Sequence, residues 1–117
     1  MNTARHNEVL LQLILTRPQA RPLIDLLLAQ PDSPFFTVAN IQGHGQPAEQ
    51  LSLQEQVAGA QHKVCIDVEI DHGRLDNLLA EIHNHLTTET IFYRVIPVLR
   101  QGCLGADSDT ICPSPAS

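Results

Sequence analysis

The sequence predicts an α+β sandwich: a four-stranded antiparallel sheet with two helices on one face, plus a short helix in the loop between the second and third strands. Three observations carry this. In Val64–Asp71, VCIDVEID, apolar Val64, Ile66, Val68 and Ile70 alternate with Cys65, Asp67, Glu69 and Asp71, the pattern of a strand with one buried face. Leu75, Leu78, Leu79, Ile82 and Leu86 recur in steps of three and four, the period of an amphipathic helix from about Arg74 to Leu86. Glu8–Thr16, EVLLQLILT, is an apolar run broken by Gln12 alone, which suits a central strand covered on both faces.

The elements follow in order. After the first strand, RPQARPLIDLLLAQ predicts a helix of about three turns, with Pro22 tolerable only in its first turn and Pro31 stopping it. Leu23, Leu26 and Leu27 lie on one side of that helix. Phe35–Gln42, FFTVANIQ, is a second strand ended by the turn formers of GHGQPAEQ. Ser52 followed by Glu55 has the spacing of a capping box, so SLQEQVAG forms a short helix closed by Gly59. The third strand and second long helix are those above. Thr90–Arg100, TIFYRVIPVLR, is the fourth strand, and Pro97 puts that part at an edge or a bulge. Such a βαββαβ order is the ferredoxin-like split βαβ arrangement. Residues 1–104 make one domain, and the small, polar, proline-bearing stretch 105–117 reads as a flexible C-terminal tail.

Composition narrows the function. Seven basic against thirteen acidic side chains give a net charge of -6, which argues against a nucleic-acid partner. No apolar run approaches the roughly 20 residues of a membrane span. The first residues, MNTARHNEVL, lack the pattern of a secretory signal, so the expected location is cytoplasmic. Aromatics are only 3 %, which leaves the core to Leu, Ile and Val. Cys65, Cys103 and Cys112 form neither a CxxC pair nor a disulfide framework, and read as free thiols. No catalytic set or phosphate loop is present, so a binding protein is expected rather than an enzyme.

The residue types with the most chemistry sit at Gly43-His44-Gly45. Flanking glycines permit positive φ and expose backbone amides to an anion, so the segment is a plain turn, a ligand-contacting loop or a metal ligand. His83 and His85 are two apart, about 200° around a helix, which does not aim both at one ion. Together with His44 and Cys65 they are nevertheless the residues from which a divalent metal site would be built. Cys65, Asp67 and Glu69 form a polar row that a symmetric assembly would bring together.

Three stretches, TVANIQGHGQ, KVCIDVEID and TIFYRVIPVLRQG, resemble the nitrogen-regulatory PII superfamily over roughly residues 8–104. The short loop, the Gly-His-Gly turn and the Ser-Leu-x-Glu-Gln-Val segment are most similar to a branch of PII-like proteins associated with heavy-metal efflux systems. That resemblance implies a homotrimeric signalling protein binding a nucleotide or small anion at clefts between subunits. Its partner would be a transporter or efflux component. Gly43, His44, Gly45, Gln46, Lys63 and Arg100 are the ligand-binding residues it implies. Thr87–Thr90 reads TTET where PII has a glycine-rich phosphate loop, which argues against ATP binding of the PII type. The long loop with its modifiable tyrosine is also absent, and Tyr93 lies in a strand. The alternative is a metal-binding protein of copper- or zinc-type tolerance.

Overall fold

The computed structural model describes residues 7–45, 47, 50–58, 60–86 and 90–105, the side chains of 56–58 excepted. Its elements are β1 (Glu8–Leu15), α1 (Arg17–Leu28), β2 (Phe36–Gly43), α2 (Leu53–Ala58), β3 (Gln61–Asp71), α3 (His72–Leu86) and β4 (Phe92–Pro97). The strands form one antiparallel sheet in the order β2-β3-β1-β4. This is the predicted ferredoxin-like βαββαβ arrangement, with β1 in the interior of the sheet and β4, ending at Pro97, on an edge.

One face of the sheet is closed by helices. Val9, Leu11, Leu13 and Leu15 of β1 and Val64, Ile66, Val68 and Ile70 of β3 point the same way, because alternate residues share a face. They pack with Ala20, Leu23 and Leu27 of α1 and Leu75, Leu78 and Ile82 of α3. Leu11, Leu13, Leu15, Leu23, Leu27, Ile66 and Val68 are fully buried, each worth roughly 2 kcal/mol of apolar transfer. The helices cover only the middle of that face. At the edges, Val38 of β2 and Tyr93 of β4 are exposed although their pairing with Ile66 and Leu13 puts them on the helix side.

Among the described residues no helix covers the opposite face. β1 alternates buried with half-buried residues, so Leu10, Gln12 and Ile14 are partly wet, against the expectation of a strand covered on both sides. Its neighbours there are Cys65, Asp67 and Glu69 of β3 and Phe92, Arg94 and Ile96 of β4.

Two other expectations are corrected. Helix α1 starts at Arg17 rather than near Pro22, so Pro22 lies in its second turn. Its missing N–H removes the hydrogen bond to the carbonyl four residues back, and burial of Leu23 and Leu27 on the sheet holds the helix despite that loss. The Thr16 amide is capped by Gln19 Oε1 at 2.9 Å. Cys103 is disulfide-bonded, whereas three free thiols were expected; Cys65 is a free thiol. Gln46, Gly59, Cys112 and the tail beyond Gly105 lie outside the described residues.

Candidate functional site

The two glycines around His44 have different tasks. Gly43 is the last residue of β2, paired with Gln61, and a Cβ there would meet only the Gln61 carbonyl at an ordinary 3.9 Å. Gly45 has φ +87°, a left-handed conformation that side-chain-bearing residues rarely adopt, and open space surrounds its Cα. Gly45 therefore supplies a left-handed residue just past the strand, and exposed His44 sits between it and the strand end.

Beyond the turn, the segment before β3 is folded back by one carboxylate. Glu55 Oε1 accepts the Ser52 amide at 3.0 Å while Ser52 Oγ accepts the Glu55 amide at 3.2 Å, the predicted capping box. Glu55 Oε2 accepts the His62 amide at 3.3 Å, tying α2 to the first residues of β3. Gln61 Nε2 adds a bond to the Gln50 carbonyl at 2.9 Å, and Ala60 is buried beneath. The Ser52 backbone bond, followed by those of His62 and the Ser52 hydroxyl, holds the Glu55 carboxyl below its ordinary pKa against a smaller opposing effect of burial. This second use of Glu55 has no signature in the sequence, because it depends on where β3 begins.

Lys63, a half-buried residue, stands opposite Ile41, two residues along from the Gly43–Gln61 pair, so it shares one end of the sheet with the loop base. Arg100 is elsewhere. Pro97 pairs with Val9, which pairs with Ile70, nine residues from Gln61 along β3, or about 30 Å. Three further residues span at most about 10 Å, so the Arg100 backbone stays on the order of 20 Å from Gly43 in the same chain. A single subunit does not bring the implied ligand-binding residues together.

The metal candidates are equally dispersed. His44 follows β2, Cys65 lies mid-sheet on the open face, and His83 and His85 are exposed on α3, which continues as helix to Leu86 and so keeps the two imidazoles apart. The His85 ring folds back on its own helix. Its Nδ1 lies 2.9 Å from the Glu81 carbonyl, which can only accept, so Nδ1 carries the proton. Among the described residues no group of three or more His, Cys, Asp or Glu is placed to hold an ion. Cys65 Sγ contacts Asp67 Oδ1 at 3.6 Å. Burial first, then the Asp67 charge and hydrogen bond, push the Cys65 thiol pKa up, with Arg94 opposing.

A shallow cleft of about 210 Å³ lies at the other end of the molecule from the loop, between Pro34 and the first turns of α3. None of the candidate residues lines it. Glu81 at its rim takes the Gln30 amide at 2.6 Å.

Residues 5–105 match the family model described as "Protein of unknown function (DUF3240)". This chain belongs to the DUF3240 family. A DUF3240 family protein from Shewanella baltica OS155 has the same fold at 18 % identity, with TM-score 0.66 over 84 % of this chain and 97 % of that one. The periplasmic divalent cation tolerance protein CutA from Archaeoglobus fulgidus is similar at 12 % identity, TM-score 0.60, over 80 % and 86 % of the two chains. Arabidopsis thaliana PII bound to citrate is similar at 14 % identity, TM-score 0.57, over 79 % and 75 %. No curated protein matches. The DUF3240 chain thus has the fold of the PII-like, ferredoxin-like superfamily, as the resemblance implied. Among the described residues no helix is long and apolar enough to cross a membrane.

Proposed function

We propose that this DUF3240 protein is a homotrimeric PII-like regulatory module that takes a small anionic or nucleotide-like ligand in clefts between subunits. The observation that carries this reading is the open sheet face. β1 puts Leu10 and Ile14 there, and one chain leaves them half-exposed. Burying that face between copies removes apolar surface from water, the main favourable contribution to association. It also gives each loop base a neighbour able to supply the residue its own chain holds far away, Arg100. At the loop base, the amides around Gly45 and the Lys63 ammonium suit an anion. The citrate bound to the PII neighbour is a ligand of that class, a small carboxylate.

The module works by binding, not by catalysis, and reports to a transporter or metal-efflux component. Loop contact is the readout, because the turn at Gly45 orders around whatever its amides hold. The proposal places the protein in the cytoplasm. Thiol alkylation in intact cells before lysis tests that location: Cys103 is alkylated in a reducing compartment and protected in an oxidising one.

Differential scanning fluorimetry with citrate, ATP and bicarbonate tests the ligand. A melting temperature that climbs with the concentration of one of them, and climbs less in His44→Ala, supports the site. No shift with any of the three removes it. Metal tolerance is the second reading, favoured by the CutA neighbour; equilibrium dialysis with copper and zinc tests it, and stoichiometric uptake lost in His44→Ala or Cys65→Ser is the supporting result.

A further inference from the structure

The open face carries two opposite charges in one cross-strand row. Register places Arg94 of β4 opposite Gln12 of β1, Gln12 opposite Asp67 of β3, and Asp67 opposite Thr37 of β2. One flanking row is apolar throughout, formed by Ala39, Cys65, Ile14 and Phe92. The other contains Leu10 and Ile96 beside Glu69. Two strand spacings, about 10 Å, separate the Arg94 and Asp67 backbones. Among the described residues neither has an opposite charge in salt-bridge range. Arg94 lies over the Phe92 ring, 5.0 Å from its centre. Among the described residues Asp67 has the long contact from the Cys65 thiol.

Covering this face with a purely apolar partner leaves a guanidinium and a carboxylate away from water and unpaired, which opposes association. A second copy of the same face removes the problem, because it offers each charge its opposite at the same height on the sheet. In a closed ring every subunit repeats the contact, so one pair per interface satisfies all copies. The flat fork of arginine suits a carboxylate better than lysine does, and Gln12 and Thr37 on the same row supply further hydrogen-bonding groups for the pair. We infer that copies of this chain meet through the open face with Arg94 of one protomer against Asp67 of the next, the pair setting the register of the assembly. This rests on the assembly proposed above and adds what fixes its geometry.

A charge-swap cycle read by sedimentation velocity tests it, with circular dichroism to establish that each variant is folded. Arg94→Asp and Asp67→Arg each put like charges together, and each raises the dissociation constant about 100-fold, as breaking a desolvated pair does. The double swap restores assembly to within about tenfold of the native protein. Should a swapped chain fail to fold, Arg94→Gln and Asp67→Asn serve instead: each single neutralisation weakens assembly, and the double one recovers it. If the native protein assembles and the single variants assemble equally well, or the doubles are as weak as the two singles combined, the pairing is wrong while the assembly stands. A native protein that stays monomeric overturns both.

Discussion

The two faces of the sheet share strands and differ in what one chain does for them. On the closed face Val9, Leu11, Leu13 and Leu15 of β1 and Val64, Ile66, Val68 and Ile70 of β3 are aliphatic and buried beneath α1 and α3, with His62 exposed at the end of that row. On the open face the same strands contribute Leu10, Gln12, Ile14, Cys65, Asp67 and Glu69, half-exposed and mixed in character. In the proposed assembly this mixture would gain from burial through Leu10 and Ile14 and select its partner through Asp67 and Arg94.

If the closed face is the source of folding stability, substitutions there cost the most. Leu11→Ala, a fully buried site between the helices, lowers unfolding free energy by about 3 kcal/mol in urea titrations. Ile14→Asp on the other face changes the stability of an isolated subunit by under about 1 kcal/mol, yet abolishes assembly in sedimentation runs. Equal losses of subunit stability from the two substitutions would erase the distinction.

These faces were unequally legible in the residues. Alternation in Val64–Asp71 gave β3 and its buried side, and the spacing from Leu75 to Leu86 gave α3, because a single periodicity decides both. The capping box at Ser52 and Glu55 was readable for the same reason, being local. In β1 the apolar run concealed the asymmetry: Leu10 and Ile14 look like core, and only strand order shows which side the helices occupy. The start of α1 is not legible in the residues because a proline in the second turn is disfavoured in isolation and tolerated when leucines beside it are buried. Of the candidate site, the positive-φ turn at Gly45 could be expected. The separation of Arg100 from Gly43 and the Asp67-Gln12-Arg94 row could not, since both depend on register between strands distant in sequence.

Two smaller effects sharpen the picture at the level of single groups. The raised pKa of Cys65 keeps the thiol protonated at pH values where an ordinary cysteine begins to ionise, so iodoacetamide modifies it slowly. Asp67→Asn removes the second largest cause of that shift and speeds the reaction; an unchanged rate leaves burial as the sole cause. Ser52→Ala costs about 1 kcal/mol of local helix stability and appears as faster amide exchange over α2 with the melting temperature nearly constant. Because the folded Glu55 carboxyl titrates below its ordinary 4.5, its contribution is present above that pH and is lost as pH falls through the lowered folded value. Exchange at the His62 amide should therefore show added opening only in acid, and an opening already complete at neutral pH removes Glu55 as the tie.

The most direct measurement is the mass of the native protein in solution at micromolar concentration. Burial of the open face between copies predicts a particle of three times 12.9 kDa that dissociates when Ile14 is made charged. A stable, folded 12.9 kDa species at that dilution contradicts it, and leaves Leu10, Ile14 and Phe92 facing water with no assembly to account for them.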